Sequence, residues 1–270
     1  MRKFNLTTAL LLCILTSASS QEDVSAAKWQ STPIVIDGQD AEWNPPFNLF
    51  DNKSGLIFTI TNDKQNIYLC FTENEELKAE KIMKAGWTIE LSSSEKKRKF
   101  DAHISFPKIE DPNINLRADF TNQVKYYKMD LAAVKTKGFT SNNGDIGLIN
   151  KDGVSIAIGS DNGQKIIYEI AIPMKELMET DKVQLNELIT LDVTVNALDR
   201  PGGQSASSAP RGNFGGGGGR MGGGRMGGGG RRRGGGGYSA QSENSSNDRT
   251  AIFDKVSFKQ KFRLVNGQAA

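Results

Sequence analysis

GLIFTITNDKQNIYLCFT, residues 55–72, is the stretch that decides the fold. Leu56, Phe58 and Ile60 alternate with Ile57, Thr59 and Thr61, the twofold rhythm of a strand with one buried face. Asn62-Asp63-Lys64-Gln65-Asn66 then supplies side chains that bond their own backbone in tight turns. Ile67, Leu69 and Phe71 resume the alternation, with Tyr68 and Cys70 facing the other way. The spacing predicts a β-hairpin.

The same grammar continues outward. Upstream lies PIVIDGQDAEW, residues 33–43: a short apolar strand (Ile34, Val35, Ile36), an Asp37-Gly38 turn, and acidic residues leading into Trp43. Downstream, Asn74 can cap a short helix carrying Leu77, Ile82 and Met83, which Gly86 stops. Trp87, Ile89 and Leu91 share one strand face, and Phe100, Ala102, Ile104 and Phe106 share the next, ended by Pro107. His103, the single histidine, falls on the opposite face beside Asp101 and Ser105, where a solvated imidazole is expected. Val124 to Leu131 reads as a further strand, rich in aromatics at Tyr126 and Tyr127. Val154, Ile156 and Ile158 alternate before the hairpin signal Asn162-Gly163, and Tyr168, Ile170 and Ile172 alternate after it. Met174 to Leu177 forms a helical turn after Pro173. Ile189, Leu191, Val193 and Val195 give the most regular strand, and Ile252, Asp254, Val256 and Phe258 return to strand spacing near the end. Many short strands, frequent turns and little helix predict an all-β, antiparallel two-sheet sandwich with a few short helical turns.

The first twenty residues have the form of a secretory signal. Arg2 and Lys3 precede the apolar run Leu6 to Leu15, and Ala18 and Ser20 suit cleavage before Gln21. The alternative is a lipoprotein acylated at Cys13, which the leucines before that cysteine do not favour. Cleavage leaves Cys70 as the sole thiol, so no disulfide can form within the chain and the fold must rest on its apolar core. No later run reaches the length of a membrane helix.

Between Pro201 and Ala240 the composition changes abruptly, with 19 of the 29 glycines in that span. Such a segment buries too little apolar surface to offset its chain entropy, so disorder is expected for 201–249. It interrupts the sandwich as a loop between two strands, an insertion whose closure entropy grows only slowly with length. The expected organisation is therefore a signal at 1–20, a lead at 21–32, a sandwich over 33–200 plus 250–265, and the loop at 201–249. Without Arg2 and Lys3 the chain has 32 basic against 31 acidic residues. Seven arginines against Glu243 and Asp248 in 201–250 leave the remainder net acidic, so basicity belongs to the loop.

IVIDGQDAEW, GLIFTITNDKQNIYLCFT, GWTIELSS, IYEIAIPMKEL and LITLDVTVNALD, in that order over about Pro33 to Leu264, resemble the carbohydrate-binding family 9-like domains, relatives of the DOMON-type sandwiches. The resemblance implies a jelly-roll-like, extracytoplasmic β-sandwich acting as a non-catalytic sugar-binding module. Sugar-binding members clamp the ligand between two exposed aromatic rings, and no pair in this sequence matches both. Trp43 reads as structural and Trp87 as core, in phase with Ile89 and Leu91.

A sugar site needs a flat apolar platform and polar groups for hydroxyls. Trp29, Tyr126 and Tyr127 are the platform candidates, and Asn122 and Gln123 the hydroxyl partners; cross-strand packing of the tyrosines is the favoured reading of that pair. No cofactor is expected. Asp37, Asp40 and Glu42 offer oxygens to calcium, but at a spacing unlike an EF-hand loop, and a merely solvated turn is favoured. Haem, known in some DOMON relatives, would need axial ligands such as His103 and Met129, and nothing pairs them in the sequence. No Ser-His-Asp or Cys-His arrangement can be assembled, so an enzyme is not expected. Arg220, Arg225, Arg231, Arg232 and Arg233 resemble RGG segments. Behind an export signal an inert linker is the favoured reading, and acidic lipid headgroups, acidic glycans or a partner are favoured over nucleic acid as a target. An adaptor of the cell envelope, working through this loop, is the alternative to a carbohydrate-binding module.

Overall fold

The hairpin at 55–72 is the centre of one of two packed sheets. The computed structural model describes residues 24–93, 99–108, 134–148, 153–161, 165–177, 187–199 and 252–267. In chain order the strands are β1 (Val24–Ala26), β2 (Lys28–Trp29), β3 (Leu49–Phe50), β4 (Ile57–Asn62), β5 (Asn66–Glu73), β6 (Trp87–Ser93), β7 (Phe100–Phe106), β8 (Val134–Lys137), β9 (Gly144–Ile146), β10 (Ser155–Asp161), β11 (Lys165–Pro173), β12 (Leu188–Val195) and β13 (Val256–Arg263). Helix α1 (Glu76–Ala85) joins β5 to β6, and the single turn α2 (Met174–Leu177) follows β11. A seven-stranded sheet runs β1-β13-β12-β6-β7-β8-β9; a six-stranded sheet runs β10-β11-β5-β4-β2, with β3 also on β4. The fold is an all-β two-sheet sandwich, as the alternation implies.

The core lies where the inner faces meet. Phe58 stands opposite Phe71 across β4–β5, and Leu91 opposite Leu191 across β6–β12. Trp87, fully buried, stacks on Phe106 at 4.8 Å and meets Tyr168 edge-on at 4.9 Å, a geometry that aromatic quadrupoles favour. The core role expected of Trp87 holds.

Four features depart from the sequence reading. First, β4, β5 and β11 are buried on both faces, not one. Residues 33–47, in which the short strand expected at Ile34, Val35 and Ile36 does not form, cross the outer side of the six-stranded sheet, and Ile34 and Trp43 pack on Tyr68, Cys70, Ile167 and Ala171. Second, the stretch expected as a lead is part of the sandwich. β1 pairs parallel with β13, Ala27 N–H donates to Arg263 O, and β2 then pairs parallel with β4, so one strand steps from sheet to sheet at buried Ala27. These two pairs also make the architecture less than wholly antiparallel. Third, α1 has Glu75, not Asn74, at its N-cap, with no side-chain cap bond; Gly86 ends it as expected, at φ 73°. Fourth, Ile252 to Asp254 is a turn and β13 begins at Val256. Leu198 N–H donates to Ile252 O there, and the Lys81 ammonium to Asp254 O at 2.6 Å. The strand expected at 124–131, the signal at 1–20 and the loop at 201–249 lie outside the described residues.

Candidate functional site

The two outer faces of the sandwich differ in kind. That of the six-stranded sheet is covered by the 33–47 strap. That of the seven-stranded sheet presents half-buried and exposed polar side chains, because β6, β7 and β12 alternate strictly.

Strand register lines these side chains up in rows. Lys259, Asp192, Glu90, His103 and Lys137 are successive cross-strand partners over β13, β12, β6, β7 and β8. On one side runs Ser257, Thr194, Thr88, Ser105 and Lys135, and on the other Lys261, Thr190, Ser92 and Asp101. Neighbouring strands lie roughly 4.8 Å apart, so the rows form a lattice of hydroxyl, carboxylate and ammonium groups at nearly constant pitch.

Within the lattice Thr88 Oγ1 and Ser105 Oγ lie 3.2 Å apart. Lys259 Nζ meets Asp192 Oδ2 at 2.8 Å, and that bond raises the lysine pKa. His103 stands between two acids: Nε2 is 3.0 Å from Asp101 Oδ1, and Nδ1 is 3.6 Å from Glu90 Oε2. The solvated imidazole expected on this face is therefore flanked. Asp101 was adjacent in sequence, whereas Glu90 arrives only through the β6–β7 register. The surface can donate to and accept from a hydroxyl-rich ligand along several rows.

Of the residues singled out from sequence, Trp29 is described. It lies half-buried in β2 opposite Asn62, on the six-stranded sheet, with Gly267 close against its indole. It is thus not brought onto the polar lattice. Tyr126, Tyr127, Asn122, Gln123 and Met129 lie outside the described residues, as do Arg220, Arg225, Arg231, Arg232 and Arg233.

In the acidic turn, Asp40 meets Lys165 Nζ at 2.7 Å, and Asp37 Oδ1 accepts the Gln39 N–H at 2.9 Å. The turn is organised instead by Glu169, which is fully buried in β11. Its carboxylate accepts the Asp37 N–H at 2.9 Å, the Gly38 N–H at 2.5 Å and the Trp43 indole N–H at 2.5 Å. Burial pushes this carboxyl up to about 7, against the pull of those three donors. Glu169 was missed because it sits inside the apolar run IIYEIAIP; an acid amid apolar residues was the available signal.

No protein-family model matches the sequence, and no curated protein matches it. Among solved structures it is similar to a carbohydrate binding module family 9 from Caldicellulosiruptor kristjanssonii in complex with glucose. That match has 12% identity and a TM-score of 0.36, covering 65% of this chain and 78% of the other. A family 9 module of the same organism in complex with cellotriose matches at 12% identity and TM-score 0.33, over 64% and 76% of the two chains.

Proposed function

We propose that this chain is an exported, non-catalytic binding module whose ligand is carbohydrate. The observation that carries the reading is the lattice on the seven-stranded sheet. Thr88, Ser92, Ser105, Thr190 and Thr194 recur at strand spacing among charged acceptors and donors. Such a surface suits a ligand with a hydroxyl on nearly every carbon, which loses water and needs a bond in return for each group it buries. Tyr126 and Tyr127 supply the apolar platform in this proposal, and Asn122 and Gln123 further hydroxyl contacts; Trp29, on the other sheet, takes no part in it. Export rests on the signal-like first twenty residues. In favour of a non-catalytic role, Cys70 is fully buried with its thiol pKa pushed up by that burial, so it is a poor nucleophile.

A glycan array containing glucose, cello-oligosaccharides and acidic glycans tests the reading. Wild-type protein is expected to be retained by a defined set of glycans. A Tyr126→Ala plus Tyr127→Ala variant with unchanged melting temperature is expected to lose that retention. Unchanged retention would remove the tyrosines from the site, and an array with no retained glycan would reject carbohydrate as the ligand class. Removal of residues 201–247 should leave glycan retention intact; dependence on that segment would favour the adaptor alternative.

A further inference from the structure

We propose that Glu90, Asp101 and His103 form a binding site for a divalent transition-metal ion of the zinc class on the outer face of the seven-stranded sheet. One ligand atom from each of the three lies within 4.8 Å of the other two. The grouping is built into the sheet: Glu90 is the direct cross-strand partner of His103, and Asp101, two residues before it on β7, projects from the same side.

The chemistry of the trio narrows the ion. A neutral imidazole nitrogen with carboxylate oxygens suits zinc and its first-row neighbours, bound at about 2.0–2.2 Å. Magnesium and calcium prefer all-oxygen sets. The imidazole is placed between two acids, one at each ring nitrogen. Asp101 and Glu90, with side chains 66% and 37% exposed, would each offer one oxygen to an ion held by one ring nitrogen of His103, and water would complete the shell.

Charge supplies a second reason. Among the described residues, neither Glu90 nor Asp101 lies within ion-pair distance of a lysine or arginine. Lys259, two strands from Glu90 in the row, is bonded to Asp192 and acts on Glu90 only electrostatically. Lys137 stands opposite His103 on β8. A divalent cation would be drawn to the two carboxylates that flank the ring. The site is independent of the sugar reading, since the metal alone is the probe.

The test uses the full mature chain without a histidine tag. Because His103 is the only histidine, its ring ¹⁵N signals are unambiguous. Titration with zinc is expected to bind one equivalent and to shift one ring nitrogen strongly, with magnesium and calcium producing no such shift. His103→Ala should abolish the equivalent, and Glu90→Gln or Asp101→Asn should weaken it about 10–100-fold. Ring signals unmoved at millimolar zinc would overturn the proposal, as would equal zinc uptake by a folded His103→Ala variant. The ring signals of wild-type protein decide the matter even if a variant fails to fold.

Discussion

Trp43 and Glu169, 126 residues apart in the chain, share a hydrogen bond inside the strap that covers the six-stranded sheet. The same carboxylate takes the backbone N–H groups of Asp37 and Gly38, so one buried acid ties both ends of DGQDAEW to β11. Replacing Trp43 by Phe removes the indole donor and part of a ring that is 2% exposed. The expected loss is about 2–4 kcal/mol, from a lost bond to a charged or polar acceptor together with a cavity. Equilibrium urea unfolding checks it; a change below roughly 0.5 kcal/mol would mean that the strap contributes little.

Two buried carboxyls make stability fall as pH rises. Burial raises both Glu169 and Glu73 to about 7 from an unfolded value near 4.5. Glu73 Oε1 accepts the Glu75 N–H at 2.7 Å, while Oε2 has no partner among the described residues. Between those pKa values the folded state holds protons that the unfolded state has released. Their contribution is therefore fully present below about pH 4.5, declines up to about pH 7, and is absent above. Each group contributes up to roughly 3 kcal/mol of this slope. Glu176 works in the opposite direction: burial opposes its ionisation, but bonds from Ser141 and Asn142 outweigh burial and lower its pKa. Its contribution is present above the unfolded value and fades as pH falls through the lowered one. Melting temperature is thus expected to peak near pH 5 and decrease toward pH 7.5. Glu169→Gln should flatten the decrease, and an unaltered slope in that variant would contradict the assignment.

The strap also passes close to β10. Gly38, at φ 89°, faces Gly159, and a side chain on Gly159 would overlap the Gly38 carbonyl oxygen. Backbone is on both sides, so neither can yield cheaply. Gly159→Ala is expected to destabilise by more than about 2 kcal/mol, measured by chemical denaturation. A neutral result would place the strap farther from the sheet.

How much of this was legible depended on run length. β12, with eight residues, declared its faces through alternation alone. β1 and β2 have three and two residues, too few for any period, and their pairing with β13 and β4 is set by contacts distant in sequence. The double burial of β11 was readable in principle, since a near-continuous apolar run marks a strand covered on both sides. Trp43 announced itself as structural, but its partner Glu169 did not. On the open face, Asp101 and His103 were neighbours in sequence, whereas Glu90 joined them through register that no local pattern encodes.

Asn62 ties β4 to the segment that follows β13. It is fully buried, donates to Val265 O at 2.8 Å and accepts the Val265 N–H at 3.0 Å. Asn62→Ala leaves both backbone groups without those bonds, and a cost of about 2–3 kcal/mol is expected. Hydrogen exchange at 264–267 should accelerate in that variant; unchanged protection there would show another clamp.

Carbohydrate recognition on the polar lattice is tested most directly by backbone amide shifts during titration with a soluble oligosaccharide retained in the array. Perturbations are predicted to cluster on β6, β7 and β12 around Thr88, Ser92, Ser105 and Thr190. Perturbations confined to the strapped face of the six-stranded sheet, or none at saturating ligand, would contradict it.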